Sequence, residues 1–242
     1  INNYSHHNII RNCNFDNHTG GNMIYIVRGA YNTVENCTFD RAGSPADYGS
    51  GEHIFLKGSH HNIFQNNYFK RGGHAILTIE YYVDTDPKED AEYNIVRNNV
   101  IEQYWGHGIT FNTRHNVIEN NKIYYVGEEV TGYPKTGIQV IGSSNIIRNN
   151  VIAWTSASPF IDHGISVFAY EFQGFTQNAE DNRIYNNVIY GCGGAGVVFN
   201  QKHSASNNRN RFLNNIVYDN RRGGPDQYFN MSYLVFDIYH AY

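Results

Sequence analysis

Apolar and polar positions along this chain obey one short rule that returns eight times. Residues 94–101 give its fullest form, Asn94-Ile95-Val96-Arg97-Asn98-Asn99-Val100-Ile101. The same frame opens at Asn8, Asn32, Asn62, Asn116, Asn145, Asn182 and Asn210, with starts 24, 30, 32, 22, 29, 37 and 28 residues apart. Its third place is always apolar: Ile10, Val34, Phe64, Val96, Ile118, Ile147, Ile184 and Phe212. Local alternation of this kind predicts a short strand, a sharp bend and a second short strand. A third strand precedes most frames, as in Ile54-Phe55-Leu56, Ile76-Leu77-Thr78, Ile109-Thr110-Phe111, Ile138-Gln139-Val140, Ile165-Ser166-Val167 and Val197-Val198-Phe199. Self-similarity at this period marks a solenoid.

Three short strands per turn, stacked in parallel, predict an all-β fold: a single-stranded right-handed parallel β-helix of about eight coils. At a strand spacing of roughly 4.8 Å, eight coils would span on the order of 35–40 Å. Asparagine suits the bend because it tolerates left-handed φ and bonds its own backbone. Stacked asparagines can also bond one another, and Asn66, Asn98, Asn120, Asn149, Asn186 and Asn214 are expected to form such a column. Residues 1–242 are read as one β-helix domain, either whole or part of a longer solenoid, because no capping helix is visible at either end. Bare ends would leave pairing edges, so end-to-end self-association stays open.

The pattern Gly-Ile-x-Val followed by Asn-x-Ile-x-x-Asn-Asn-x-Ile resembles the right-handed parallel β-helix repeat of pectate-lyase-like and NosD-like proteins. That resemblance covers nearly the whole chain and implies the fold. It leaves function open, since such folds carry lyases, hydrolases, epimerases, tailspikes and passive surface proteins.

Charge and cysteine content narrow the field a little. Lys plus Arg number 18 against 22 Asp plus Glu, a formal charge of −4. No basic run suggests nucleic acid, and no apolar run reaches a membrane span. Cys13 and Cys37 hold the same frame position on adjacent turns, so their Cα atoms would lie roughly 5 Å apart, within disulfide reach. A bond and a pair of small stacked side chains both fit that placement.

Long connections fall before or after the Gly-Ile strand and never inside the Asn frames. Insertions in solenoids gather on the binding face. The Gly-Ile strand is therefore expected to floor a groove walled by loops. Registering these strands on their first apolar residue puts Glu52, His74 and His107 on successive rungs, with His163 further along the same column. Lys57 and Asn112 share the outward face, with Glu80 and Arg114 near its edge. Such a set suits β-elimination on a uronic acid: a base removes the C5 proton, a cation steadies the enolate, and an acid assists the leaving oxygen. Histidine is the natural proton carrier near neutral pH. The bland alternative is that the histidines only fill rungs beside a glycine. Tyr104, Trp105 and Tyr170, with Tyr125 and Trp154 among others, offer flat rings to a sugar. The column His7, Tyr31, His61, Tyr93 and His115 reads as a solvated stack.

Glu52, Lys57, Ser59 and Asn62 also resemble a segment of the alginate lyase and chondroitinase B family. That resemblance would give Glu52 a calcium-ligand role and Lys57 the role of base, and it makes calcium the one cofactor to test. The family's arginine on the next turn falls here near Thr78, and its second acidic ligand falls on Ser50. The expected partner is a polysaccharide or oligosaccharide, and the expected location is secreted or cell-surface. The alternatives are a non-catalytic binding or adhesin module, a β-helix that stacks end to end, and a glycoside hydrolase using Asp162 and Glu171.

Overall fold

A computed structural model describes residues 4–43, 51–73, 75–80, 91–126, 135–155, 163–172, 175–201, 205–220 and 232–236. Each Asn frame folds as expected into two three-to-five-residue strands that meet at a two-residue bend. Ile95–Arg97 and Val100–Tyr104, joined through Asn98 and Asn99, are typical. The first halves of the frames stack into one parallel sheet, from Ile9–Arg11 to Arg211–Leu213. The second halves stack into another, from Asn14–His18 to Ile216–Tyr218. The Gly-Ile strands form the third sheet, from Ile24–Val27 to Val197–Gln201. Each strand pairs with its counterpart one coil on, which is a right-handed parallel β-helix. Ser232–Phe236 then adds to the third sheet antiparallel, pairing Val197 with Phe236 and Gln201 with Ser232.

Side chains pointing inward from all three sheets make the core. Phe64, Ile101, Ile109, Ile118, Ile123, Ile138, Ile147, Ile165 and Ile184 are among its fully buried members. Burying such a side chain is worth about 1.5–3 kcal/mol, and identical positions repeat it coil after coil. Near the first coils the core is aromatic. Phe15, Phe39 and Phe69 stack at 4.7 and 4.8 Å, and His53 lies 5.9 Å from both Phe39 and Phe69.

The bends are held by amides, but not by the column expected. Asn66, Asn98, Asn120, Asn149, Asn186 and Asn214 are exposed and adopt φ between 53° and 56°. They turn the chain and face solvent. Two other columns carry the rung-to-rung bonds. At the first frame position, Nδ2 of Asn62 donates to Oδ1 of Asn94 (3.0 Å), Asn94 to Asn116 (3.1 Å) and Asn116 to Asn145 (3.3 Å). At the sixth, Asn67 donates to Asn99 (3.2 Å), Asn99 to Asn121 (3.0 Å) and Asn121 to Asn150 (3.0 Å). Each Oδ1 also receives a backbone N–H from the preceding rung, as Asn121 does from Asn99 at 3.0 Å. At a bend the strand ladder lapses, and these amides fill the gap.

Cys13 and Cys37 take the sixth position in the first two coils, and all three cysteines are free thiols. The Cys13 amide donates to Cys37 Sγ at 3.4 Å, and the Cys37 amide donates to Asn67 Oδ1 at 2.9 Å. Burial pushes the Cys37 thiol up. Among the described residues no helix is long and apolar enough to cross a membrane.

Candidate functional site

The third sheet receives the variable connections, because the bend inside each frame is fixed at two residues. Segments 81–90, 127–134 and 156–162, which belong to the long connections, lie outside the described residues, as do Ser50, His74 and Asp162.

One rung of the expected register is displaced by a residue. Ile54 pairs with Leu77 rather than Ile76, and Leu77 pairs with Ile109. Consequently Ala75, not His74, stands beside His107. Ile79 is core, and Glu80 is the register partner of Lys57. Asn112 follows the Phe111–Ile79 pair and so continues the column Lys57, Glu80, Asn112 along three rungs. In a sheet with one buried face a single-residue shift exchanges the faces, so this correction gives Glu80 the register position beside Lys57. The Lys57 and Asn112 side chains are half-buried.

Glu52, His107 and His163 do not line an open floor. They are 8%, 4% and 6% exposed, and Thr136 between the two histidines is 2% exposed. A glycine follows each histidine because a side chain there would collide with its surroundings. A Cβ on Gly108 would meet Gly137 O at 2.4 Å and Ile123 Cγ2 at 3.1 Å, and one on Gly164 would meet Ile189 Cγ2 at 2.4 Å. Beside these glycines each histidine ring takes up a backbone N–H of the next coil. The Thr136 N–H donates to His107 Nδ1 at 3.1 Å, and Thr136 Oγ1 lies 2.9 Å from the same nitrogen. The Ala195 N–H donates to His163 Nδ1 at 3.2 Å. A ring nitrogen that accepts from a backbone amide is not available as a base. Burial lowers His163 further, to about 4. The rung-filling alternative is thus the one these two histidines follow.

Arg114 is also placed elsewhere. It is 54% exposed and paired with Glu92, which also meets His115 Nδ1 at 3.1 Å. Trp105 is 8% exposed and offers no ring face to a ligand. Tyr104 and Tyr170 belong to the strands Val100–Tyr104 and His163–Phe172, and their side chains lie outside the description. Tyr125 and Trp154 stack on each other at 5.2 Å, which occupies one face of each ring. The column His7, Tyr31, His61, Tyr93, His115 does stack, with successive centroids 5.0–5.1 Å apart.

The calcium expectation can be tested against the donors. The Glu52 column continues as Ala75 and His107, so the described residues supply one carboxylate there. Among the described residues no three His, Cys, Asp or Glu side chains cluster as ligands would. Calcium asks for six to eight oxygens. Among the described residues the donor set does not fit.

The family profile described as "Right handed beta helix region" matches residues 1–152 and 96–235. The chain belongs to that family. Its fold is shared with the A-module of a mannuronan C-5 epimerase from Azotobacter vinelandii, at 14% identity and a TM-score of 0.58, covering 90% of this chain and 58% of that one. A mannuronic acid specific polysaccharide family 6 lyase from human gut microbiota is similar at 16% identity and a TM-score of 0.56, covering 89% and 51%. An alginate lyase from Paenibacillus sp. is similar at 16% identity and a TM-score of 0.50, covering 84% and 78%. The chain thus spans between half and four-fifths of these proteins. No curated protein sequence matches it.

Proposed function

We propose that this chain acts on an acidic polysaccharide laid along the third sheet, and that Lys57 is the base of a β-elimination at a uronic acid residue. The observation that carries the reading is the run of register positions Lys57, Glu80, Asn112: a lysine, a glutamate and an asparagine on consecutive rungs of the sheet that receives the long connections. Lys57 removes the C5 proton, electrons move toward the carboxylate, and the C4–O bond breaks as the leaving oxygen takes a proton from solvent water. The nearest argument from kinship is that proteins of this fold include an alginate lyase and a mannuronic acid specific lyase. Polymers of this kind are met outside the cell or at its surface, which is where the protein would work.

The test is absorbance of the unsaturated product from a panel of uronic acid polymers. The wild type is expected to give product. Lys57→Ala and Lys57→Arg are each expected to lose activity by about 100-fold or more, the usual reach of a general base. An active Lys57→Arg variant would show that charge alone is needed there and would remove lysine as the base.

Burial of Glu52, Thr110 and Ser166 favours a second reading, a module that holds a glycan without cleaving it. Retained glycan binding with no product from any polymer selects that reading.

A further inference from the structure

The first sheet carries a charge arrangement that its own stability does not explain. Two arginines on its outer face have side-chain partners. Arg97 donates to the Gln65 amide oxygen at 2.9 Å, and Arg148 donates to Glu119 at 2.7 Å and to the Tyr185 hydroxyl at 3.1 Å. Arg209, at the corner, is held by Asp181 and Glu180 at 2.8 and 2.9 Å. Arg183 and Arg211 differ. They are directly paired across the last two strands of the sheet, next to Ile146. Both are exposed. Among the described residues neither makes an ion pair. Like charges directly opposite in a sheet are destabilising, and these two arginines are register partners on strands roughly 4.8 Å apart. Asp181, already bound by Arg209, feels both of them, and its carboxyl is held below the usual range.

Around this pair lie groups that suit a sugar chain. Tyr185 and Leu213 share strands with Arg183 and Arg211, and Leu213 is 57% exposed. The corner amides of Asn186 and Asn214 stand in solvent alongside. Carboxylates of a uronic acid chain can meet these exposed arginines, each through two parallel N–H···O bonds.

We propose that Arg183 and Arg211 form a second, non-catalytic docking surface for the carboxylates of an acidic polysaccharide, on the first sheet and apart from the third-sheet site. The proposal rests on the reading of the ligand as a uronic acid polymer. The net charge of −4 opposes binding of polyanions at large, so a local contact is the form such binding takes here.

Calorimetric titration with an oligouronate, its carboxyl-reduced neutral form and a single-stranded oligonucleotide of equal charge tests it. The double variant Arg183→Gln/Arg211→Gln is expected to bind the oligouronate about tenfold more weakly, the size of one lost charge-assisted contact. Its melting temperature should be unchanged or higher, since a like-charge pair is removed. Product release from a short oligomer should be unchanged, and KM for long polymer should rise. Unchanged oligouronate affinity overturns the docking surface. So does equal affinity of the wild type for the neutral form, or arginine-dependent binding of the oligonucleotide alone. Intact docking without product overturns only the role given to Lys57, so the two failures are separable.

Discussion

At the scale of single residues, two asparagines that look alike in sequence do opposite work. Asn121 accepts from the Asn99 backbone and side chain, and donates to Val96 O and to Asn150. Asn98 supplies left-handed backbone and faces water. Replacing Asn121 by Ala orphans several buried groups and is expected to cost about 3 kcal/mol. Asn98→Gly should be nearly neutral, because glycine takes that φ freely, whereas Asn98→Ala should cost about 1 kcal/mol. Chemical denaturation of the three variants checks the order. The frame announces both asparagines. It does not say which one turns in, because that is settled by which residue takes positive φ at the bend. The expectation of a column through Asn98 mistook the hinge for the bolt. The histidines show the same limit: proton-bearing side chains beside a glycine are visible in the sequence, but the backbone amide waiting for His107 Nδ1 is not.

At the scale of the strand, period and spacing gave the three sheets and their order. The exception is the run Ala75-Ile76-Leu77-Thr78-Ile79, where three apolar residues in a row leave the inward positions ambiguous. The pairing of Leu77 with Ile54 and Ile109 resolves it and brings Glu80 beside Lys57. Burial of Glu52, His107 and Thr136 on the third sheet was not legible either, because local pattern does not report it. The Gly-Ile strands themselves depend on a missing side chain. A Cβ on Gly137 would sit 2.5 Å from Ile152 Cγ2 and 2.8 Å from Gly164 O. Gly137→Ala is therefore expected to destabilise by about 1–3 kcal/mol through overpacking, read as a lower denaturant midpoint with unchanged slope.

At the scale of the molecule, coils that lean only on their neighbours sum their contributions, and so do buried titrating groups. His53, enclosed by Phe39 and Phe69, is pushed by burial to about 3, and His163 to about 4. Both remain neutral in the folded state where the unfolded chain would already bind protons, below about 6.5. The unfolded state then binds more protons, so stability rises with pH and is lost as pH falls from about 6.5 toward 4. Each histidine contributes at most about 1.4 kcal/mol per pH unit in that window. Above it the two have no effect. Melting temperature measured from pH 7.5 to 4.5 should fall at the acid end, and more shallowly in His53→Gln provided that variant folds. A flat profile in the wild type would contradict the burial of both rings.

The reversed strand Ser232–Phe236 makes the two edges of its neighbour unlike. Antiparallel pairs space their bonds alternately close and wide, while parallel pairs space them evenly. Val197–Gln201 therefore carries both geometries at once, even bonds toward His163–Phe172 and alternating bonds toward Ser232–Phe236.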